Sequence, residues 1–319
     1  MPLVSIIVIC YNHEKYIKEC LRSILEQDYE NIEVWIIDNH SKDNSVAEIE
    51  GMLPELQAKF ERVCFNKSDI NLGIPKALNK GVKWAKGDYI KYISTDDCLL
   101  NNAITKYVDF ASKHKGADII AANGFYMKGD ITKEEAVSQA KILCKNAPDF
   151  GDGLFERIFW RNNVCAPTVF IPKKTFEKFG LFDEAIPYED WNYWCMAAQK
   201  GGVFYYLDDY VVAYRIHANS TSNLTKGSGE LGKRFDFDYN NSKLIIRKYV
   251  NYLPKGQQKP RWERFFQKYM EKAAASKIHY KYMFIVVDAV SVKLPVKDVL
   301  RLIKYGIVHW NMCSWIEDI

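Results

Sequence analysis

Short apolar runs alternate with amphipathic stretches over the first 125 residues. Runs that are apolar throughout indicate strands buried on both faces, whereas apolar residues three and four apart, as at Ile17, Leu21 and Ile24, indicate a helix. The predicted strands are residues 4–9, 32–37, 63–65, 89–93 and 118–122. Strands that alternate with helices in this way predict a doubly wound, mostly parallel α/β sheet with helices on both faces.

Capping residues mark the helix boundaries in this part of the chain. The Asp-Asn-Ser sequence at residues 43–45 favours a helix start, and we expect that helix to reach about Phe60. Pro75 is suited to the first turn of the next helix, and Gly87 lies just past its end. A further helix is predicted over residues 102–113.

The alternation ends after residue 125. Residues 126–153 are polar and carry several glycines and a proline. We interpret them as an acceptor-side excursion or a mobile lid that holds one short helix near residues 134–144. A strand is predicted over residues 168–171.

The rest of the chain is predicted to change from strands to helices. Residues 204–207 and 211–214 are expected to form an antiparallel pair that turns at Asp208 and Asp209. From Gly229 onward the pattern is helical, with breaks predicted at residues 254–260 and at Pro295. We therefore divide the chain into a main domain over residues 1–225 and a C-terminal helical appendage over residues 226–319.

Charge is unevenly divided between these two parts. Residues 226–319 hold 18 Lys and Arg against 9 Asp and Glu, a net +9, whereas residues 1–225 hold 26 against 31, a net −5. A basic region suggests attraction to an anionic surface, since each Lys or Arg near an anionic membrane leaflet contributes about 1 kcal/mol. A solvated helical surface explains the same charge equally well.

The last predicted helix carries an apolar stripe beside a row of basic residues. The stripe consists of Val296, Val299, Leu300, Ile303 and Ile307, and the basic row of Lys297, Arg301 and Lys304. This pattern is typical of peripheral membrane docking. Packing on the main domain is the more common use of such a stripe, and a dimer contact is a further alternative.

Composition and cysteine usage favour a globular protein of a reducing cytoplasm. Of the 319 residues, 48% are apolar and 26% charged, which is ordinary for a globular protein. The eight cysteines form no C-x-x-C pair, and the N-terminus has no basic region or cleavage site. No stretch approaches the roughly 18 apolar residues that a membrane-spanning helix needs.

The most informative polar residues are two adjacent acids, Asp96 and Asp97, which come directly after a predicted buried strand. Ligands of open α/β sheets bind at the carboxyl ends of the strands. Mg²⁺ and similar cations reach a protein through one or two carboxylates and take further ligands from a substrate phosphate. These acids therefore predict an Mn²⁺ or Mg²⁺ site in an enzyme that uses a nucleoside diphosphate.

Other candidate nucleotide contacts lie at neighbouring strand ends. The first strand ends in Cys10, Tyr11 and Asn12, where Tyr11 is suited to stacking on a base. Asp38, at the end of the second strand, is suited to accepting hydrogen bonds from a base or ribose. Taken singly, each is more often an ordinary loop residue.

A glycine before a helix gives a further, weaker indication. Asn71 and Gly73 precede the helix that carries Lys76, and a helix N-terminus with a close backbone approach favours an anion. A plain turn and cap explains the same residues.

Two later segments carry candidate catalytic residues. Glu189, Asp190 and Trp191 stand at a predicted helix start, where a carboxylate is suited to removing a proton from a hydroxyl, although an aspartate there is often only a cap. Arg215 and His217 alternate along a predicted strand and so point to opposite faces. We expect one of them to face a phosphate or metal while the other packs, and Arg215 and Trp191 are candidate phosphate or acceptor contacts.

Taken in order, these pieces resemble the family 2 inverting glycosyltransferases of GT-A fold and bacterial polysaccharide type. The resemblance covers roughly residues 3–222. It rests on the runs 4–12, 21–24 with Gln27, 33–43, 71–74 and 85–90 together with the acidic motifs. Each fragment is moderately specific, whereas the ordered set is highly specific.

The resemblance implies roles for the candidate residues. The Asp96-Asp97 pair would be the metal and ribose-diphosphate motif, in which Asp97, alone or together with Asp96, would hold Mn²⁺ or Mg²⁺. Tyr11 and Asp38 would contact the nucleotide base beside Gly73. Asp190 would be the catalytic base, Glu189 would orient the acceptor, and His217 would approach the diphosphate or metal.

The implied activity is transfer of a hexose or N-acetylhexosamine from a nucleotide-diphosphate sugar to a hydroxyl of a glycan or lipid-linked oligosaccharide, with inversion. UDP is the expected carrier, and dTDP and GDP are alternatives. The implied setting is surface polysaccharide assembly at the inner face of the plasma membrane. Two positions depart from the family pattern: Ser94 replaces the first acid of an Asp-x-Asp triplet, and Leu78 stands where many members have arginine.

Three other functions are alternatives to this interpretation. A sugar nucleotidyltransferase would need a Gly-rich, Arg-containing loop after the first strand, and a dinucleotide oxidoreductase would need G-x-G-x-x-G there; the sequence at residues 10–14 is neither. A catalytically silent nucleotide-binding scaffold gains some weight from Ser94 and Leu78.

Overall fold

The computed structural model of the chain describes residues 1–217, 230–275 and 281–311. The chain divides into two compact units, Met1–Asn223 and Leu224–Ile319. The predicted boundary between residues 225 and 226 lies outside the described residues.

The first unit contains two sheets. Its strands are β1 Val4–Cys10, β2 Ile32–Asp38, β3 Arg62–Lys67, β4 Tyr89–Ser94, β5 Cys98–Leu99, β6 Ile119–Lys128, β7 Ile171–Pro172 and β8 Phe204–Ile216. The main sheet has the order β3-β2-β1-β4-β7, in which the first four strands are parallel and β7 is antiparallel. The predicted doubly wound, mostly parallel sheet is confirmed.

Helices alternate with the strands of the main sheet as predicted. They are α1 Ile17–Leu25, α2 Ser45–Lys59, α3 Ile74–Trp84 and α4 Ala103–Lys113, followed by α5 Lys133–Gln139, α6 Leu154–Trp160, α7 Lys174–Phe179 and α8 Glu189–Gln199. In α1 the predicted apolar face is buried completely, and all seven residues of β1 are buried. Gly81 lets α3 approach the sheet closely, since a Cβ there would lie 2.6 Å from Ile7 Cγ2.

The smaller sheet, of order β5-β8-β6, corrects the prediction of an antiparallel pair at residues 204–214. Residues 204–216 form one strand, which runs parallel to β6. Asp208 and Asp209 lie where the register shifts, because Ala121 pairs with Tyr206 but Asn123 pairs with Tyr210. The extra residues form a bulge instead of a hairpin turn.

The segment between β6 and α6 also differs in detail from the prediction. β6 continues to Lys128, beyond the predicted end of the fifth strand at residue 122. The short helix is α5, which starts at a capping box formed by Thr132 and Glu135. The predicted strand at residues 168–171 begins instead as a 3-10 turn at Ala166–Thr168 and becomes β7 at Ile171. The lid function of this segment stays a prediction.

The described residues of the second unit are helical. They form α9 Glu230–Tyr249, a 3-10 turn at Val250–Tyr252, α10 Lys255–Ala275, α11 Lys281–Ser291 and α12 Val296–Asn311. Aromatic side chains pack between α9 and α10: the rings of Tyr239 and Phe265 are 5.2 Å apart. Pro254 and Pro295 precede helices as predicted, but Pro260 lies inside α10, so the predicted break at residues 254–260 is wrong beyond its first residue. The helical appendage itself is confirmed.

Candidate active site

The carboxyl ends of three parallel strands meet at one edge of the main sheet. Cys10 at the end of β1 pairs with Asp38 at the end of β2, and Ile9 pairs with Ser94 at the end of β4. The chain order of the strands reverses between β1 and β4, which is where open α/β sheets bind ligands. The loops after β1, β2 and β4 therefore enclose the candidate site.

Side-chain hydrogen bonds join the loop after β1 to the loop after β2. The backbone N–H groups of Asn12 and His13 donate to Ser41 Oγ at 2.8 Å and to Ser45 Oγ at 2.9 Å. Lys42 N–H donates in return to Asn12 Oδ1 at 2.7 Å. Asn12 adopts a positive φ of 55°, which is unusual for a non-glycine residue and fits this tight crossing. Asn12 thus shapes the site, and its side chain already has a protein partner.

Three potential metal ligands lie together at the ends of β1, β4 and β8. Ligand atoms of His13, Asp96 and His217 all lie within 4.8 Å of one another. His217 Nε2 is 3.1 Å from Asp96 Oδ2, and His13 Nδ1 is 3.7 Å from Asp96 Oδ1. His13 Nδ1 also lies 2.9 Å from Thr95 Oγ1. We call these three residues the His-Asp-His cluster.

The electrostatic surroundings keep Asp96 ionised and His13 neutral. Burial raises the pKa of Asp96, but the hydrogen bond with His217 and the nearby His13 outweigh it, so that its pKa lies below the ordinary value. Burial lowers the pKa of His13, against the opposing charge of Asp96. Asp96 Oδ1 is buried and has no hydrogen-bond partner within the described part of the chain. An ionised carboxylate and a neutral imidazole are the forms that bind metal.

Asp97 does not belong to this cluster, so its prediction as a metal ligand is corrected. It is buried, and its Oδ1 accepts the backbone N–H of Arg215 at 2.8 Å. Burial and the charge of Asp96 raise its pKa well above the ordinary value. A buried carboxyl that favours its protonated form is a poor metal ligand.

Arg215 is also corrected, since it lies inside the protein and already binds protein oxygens. Its side chain is 1% exposed. The guanidinium donates to the backbone carbonyls of Asp96, Gly129 and Ile131, and Nη2 bonds Glu19 Oε2. Arg215 thereby holds the loop that carries Asp96, and it is the member of the Arg215–His217 pair that packs.

The predicted base contacts have contrasting surroundings. Tyr11 is 43% exposed beside the site. Asp38 is buried; its Oδ2 accepts the N–H of Ser41 at 3.0 Å, whereas Oδ1 has no hydrogen-bond partner among the residues the structure describes. A buried carboxylate oxygen without a partner costs free energy unless a ligand fills it. Cys10 is corrected, because its side chain is fully buried in the core and its carbonyl accepts the N–H of Asn39.

The loop before α3 is held by its own amide groups. Asn71 Oδ1 accepts hydrogen bonds from Asn39 Nδ2 and from the N–H of Gly73. Gly73 has a φ of +74°, a conformation that only glycine adopts easily, and it leads into the N-terminus of α3. Lys76 is exposed in the first turn, whereas Leu78 is buried in the core. These contacts do not test whether the loop binds the nucleotide, and that role stays a prediction.

The second acidic pair lies at the start of α8. Glu189 is buried, and burial together with the charge of Asp190 raises its pKa well above the ordinary value. Asp190 is partly exposed, and its Oδ2 accepts Asn162 Nδ2 at 2.8 Å. Burial also raises the pKa of Asp190, against the opposing hydrogen bonds from the backbone of Trp191 and from Asn162. A carboxylate with a raised pKa is a stronger proton acceptor when ionised.

Trp191 is corrected as an acceptor contact. Its side chain is 9% exposed, and its indole N–H donates to the carbonyl of Ile158 at 2.9 Å. That bond fixes the first turn of α8 against α6 and thereby positions the two acids.

Two residues of this site were missed by the sequence analysis. His13 directly follows the loop residues assigned to the nucleotide, and its position after β1 at the strand reversal was the available signal. Asn162 lies between α6 and β7 in a segment without strong periodicity, so the sequence held no signal that linked it to Asp190.

A cavity of about 360 Å³ opens elsewhere in the first unit. It lies at the amino-terminal end of β4 and is lined in part by Asp88, Tyr89 and Pro172. Because β4 delivers Asp96 at its other end, this cavity is separate from the candidate active site.

Solved structures with the same fold include two proteins in complex with nucleotide sugars. Staphylococcus aureus TarS 1-349 in complex with UDP-GlcNAc is 19% identical, with a TM-score of 0.59 over 96% of this chain and 81% of that one. The mannosyltransferase PcManGT from Pyrobaculum calidifontis, in complex with GDP-Man and Mn²⁺, is 14% identical, with a TM-score of 0.54 over 99% of this chain and 88% of that one. This chain therefore has the GT-A fold.

Relatives in sequence are uncharacterized glycosyltransferases. One from Haemophilus influenzae is 31% identical over 229 residues, which are 70% of this chain and 68% of that protein. One from Rickettsia prowazekii is 30% identical over 226 residues, 70% of this chain and 66% of that protein. One from Rickettsia felis is 28% identical, and the match covers only 36% of its length. The matched part thus spans from about a third to two thirds of these relatives.

The sequence pattern of Glycosyl transferase family 2 matches residues 5–178, which contain β1 to β4, Asp38 and Asp96. This range is more than half of the chain, and the Haemophilus relative supports the same assignment over a longer one. The chain belongs to glycosyltransferase family 2.

Proposed function

We propose that this glycosyltransferase is metal-dependent and inverting. It moves a hexose or N-acetylhexosamine from a nucleotide-diphosphate sugar, with UDP as carrier, to a hydroxyl of a glycan or lipid-linked oligosaccharide. The observation that carries the proposal is the His-Asp-His cluster at the strand reversal. On either side of the β1 end, Asp96 and Asp38 each have a carboxylate oxygen without a hydrogen-bond partner among the described residues. Residues 1–225 would hold both substrates.

The nucleotide is assigned to the β1–β2 side of the site. Tyr11 offers an exposed aromatic face for a base, and Asp38 Oδ1 offers a buried acceptor for a base N–H or a ribose hydroxyl. The TarS complex with UDP-GlcNAc and the PcManGT complex with GDP-Man support a nucleotide sugar as the donor.

The metal is assigned to His13, Asp96 and His217. Two imidazole nitrogens and one carboxylate fit a first-row transition ion better than Mg²⁺, which prefers oxygen ligands, so Mn²⁺ is the better of the two predicted ions. When bound, the ion would supply Lewis-acid neutralisation of the departing diphosphate.

Asp190 is assigned the role of general base. Its carboxylate accepts the proton of the acceptor hydroxyl while the hydroxyl oxygen bonds the anomeric carbon and the bond from that carbon to the diphosphate oxygen breaks. One such displacement inverts the configuration, so an α-linked donor gives a β-linked product. Asn162 positions Asp190, and Glu189, as a neutral acid, is suited to donating a hydrogen bond to the acceptor.

The resemblance to bacterial polysaccharide-type members of the family supports a proposal for the cellular setting. We assign the enzyme to surface polysaccharide or lipopolysaccharide assembly on the cytoplasmic side of the membrane. In the described ranges, no helix combines the length and the apolar character that a membrane span requires.

The test is a donor screen with the intact chain. UDP-, dTDP- and GDP-sugars are titrated in Mn²⁺, in Mg²⁺ and in EDTA by isothermal calorimetry, and products are identified by mass spectrometry and anomeric NMR. We expect UDP-sugar binding that is tighter in Mn²⁺ than in Mg²⁺, and an inverted product. Asp38→Ala should weaken donor binding about tenfold or more, because the nucleotide loses a charged acceptor. Binding of no nucleotide sugar by a folded, Mn²⁺-loaded protein contradicts the proposal.

A further inference from the structure

The second unit exposes an unusual number of large apolar side chains on two helices. On α11, Phe284, Val287 and Val290 are 62%, 59% and 57% exposed. On α12, Val296, Leu300 and Ile303 are 74%, 56% and 36% exposed. We call these six residues the apolar face. Exposed apolar side chains that cluster on a protein surface mark binding sites, whereas single ones are ordinary.

Helix α11 is apolar on opposite sides. Tyr282, Ile285 and Ala289 are buried, and they lie on the side of the helix opposite Val287. An ordinary surface helix buries one apolar side and exposes polar residues on the other. The sequence of α11 therefore indicates a second apolar environment outside the protein.

Helix α12 refines the stripe that the sequence suggested. Val299 and Leu302 are buried and belong to the core of the unit, whereas Val296, Leu300 and Ile303 form a separate exposed row. The side chain of Ile307 lies outside the described residues. At 100° per residue, the exposed row is turned by roughly a quarter of a turn from the buried one.

Basic side chains border the apolar face. Lys297, Arg301 and Lys304 are exposed along α12, on the side of the apolar row away from the core, and Lys293 is exposed in the preceding turn. The neighbouring acids have cationic partners: Asp288 bonds Lys243, and Asp298 bonds Lys259 and Arg301. The surface around the apolar face is therefore positively charged.

We propose that the apolar face is a docking surface for an anionic lipid bilayer. Apolar side chains would enter the boundary between headgroups and acyl chains, while the flanking lysines and arginine would contact lipid phosphates. Charge complementarity selects this occupant, since a second copy of the chain would bring the same basic border against itself. The proposal rests on the second unit alone and is independent of the proposed transfer reaction.

Vesicle flotation of the full chain tests the proposal. Vesicles of phosphatidylcholine alone are compared with vesicles that also contain phosphatidylglycerol, at low and high salt. We expect the protein to float with the anionic vesicles, to stay unbound with the neutral ones, and to be partly released by salt. Equal binding to both vesicle types, or binding to neither, would overturn the proposal.

A matched pair of leucines locates the surface. Leu300→Glu should reduce the bound fraction about tenfold or more, because one buried leucine accounts for at least that factor. Leu244→Glu, on α9 of the same unit at 42% exposure, should leave binding unchanged. Circular dichroism confirms that both variants are folded, and Val287→Glu on α11 gives an independent second variant.

Light scattering and charge variants distinguish an anionic bilayer from other occupants of the apolar face. A stable dimer that Leu300→Glu dissociates, together with no vesicle binding, would assign the face to a second copy and overturn the membrane proposal. Lys297→Gln with Lys304→Gln should weaken vesicle binding severalfold, whereas Lys255→Gln at the start of α10 should not. Equal effects of the two charge changes would contradict a role for the basic border.

Discussion

Two pairs of adjacent acids are assigned to the transfer reaction, and the two members of each pair have different surroundings. After β4 both acids are buried, but Asp96 belongs to the His-Asp-His cluster, whereas Asp97 accepts the backbone N–H of Arg215. At the start of α8, Glu189 is buried and Asp190 is partly exposed. In Asp97 and Glu189, the inner members, desolvation raises the pKa well above the ordinary value. The outer members, Asp96 and Asp190, therefore do not share the role of their neighbours.

The outer members differ in what surrounds them. Asp96 lies between two imidazoles and its pKa is lowered, whereas Asp190 accepts a hydrogen bond from a neutral amide and its pKa is raised. A lowered pKa suits a carboxylate that stays ionised beside a cation, and a raised one suits a proton acceptor. Similar dipeptides thus acquire different chemistry from their neighbours.

The largest expected effect is on transfer in Asp190→Asn. Removing a general base lowers the rate by about 10²–10⁴-fold, so we expect about a thousandfold loss in kcat with little change in donor affinity. Glu189→Gln is the matched control within the pair, and its loss should be much smaller because the wild-type side chain favours its neutral form. Transfer kinetics and donor calorimetry measure both. Equal losses in the two variants would contradict the division of roles at α8.

The second effect is on metal affinity at the other pair. Asp96→Asn removes the only carboxylate of the His-Asp-His cluster in the described structure, and we expect Mn²⁺ binding to weaken about a hundredfold. Asp97→Asn should change it little, since Asn keeps an oxygen for the N–H of Arg215. Electron paramagnetic resonance of free Mn²⁺ gives both affinities without a turnover assay. A larger loss in Asp97→Asn would restore the original prediction of Asp97 as the ligand.

The contrast also shows what the sequence was able to predict. Strands β1, β2 and β4 could be predicted because they are buried on both faces and therefore appear in the sequence as mostly apolar runs. Their ends bring Tyr11, Asp38 and Asp96 to one edge of the sheet. The sequence did not predict which of the two adjacent acids faces the protein interior. The reason is that Asp97 is fixed by the backbone of Arg215, which lies in a distant part of the chain. The hairpin predicted at Asp208 and Asp209 failed for a related reason, since pairing with β6 absorbed those residues in a bulge.

A third prediction concerns Lys91, which lies on β4, the strand that precedes Asp96 and Asp97. It is fully buried, its Nζ donates to the carbonyls of Tyr92 and Pro167, and burial lowers its pKa to about 7. The pKa of a lysine in the unfolded chain is about 10.4. Between pH 7 and this value, the unfolded chain binds one more proton than the folded protein, so the free energy of unfolding should rise with pH across this range.

Lys91→Met tests this stability effect. The variant should be more stable than wild type at pH 7 by about 1–3 kcal/mol, a gain that shrinks toward pH 10, because a buried charge is replaced at the cost of two carbonyl partners. Lys83→Met, an exposed lysine on α3, should show neither the gain nor its pH dependence. Urea denaturation at a series of pH values supplies the free energies. A variant less stable than wild type at pH 7 would show that the two hydrogen bonds outweigh the burial of the charge.

The smallest effect is a shift in the pH profile of transfer, and it separates the two outer acids most directly. Asp190 must be ionised to accept a proton, so the rate should rise with pH through its pKa. Asn162 Nδ2 stabilises the ionised form from 2.8 Å, and its removal in Asn162→Ala should raise that pKa further. A hydrogen bond to a charged group is worth about 1.5 kcal/mol, or about one pKa unit, and the exposed position of Asn162 reduces this to roughly half a unit to one unit. The acidic limb of kcat against pH should therefore move to higher pH by that amount, while Mn²⁺ affinity stays unchanged, since Asn162 contacts the α8 pair and not the His-Asp-His cluster.

Two further variants are controls for this shift. Asn162→Asp, which places a like charge beside Asp190, should move the limb further in the same direction, and Asn163→Ala should leave it in place. A limb that moves to lower pH in Asn162→Ala would mean that the titrating group is not Asp190.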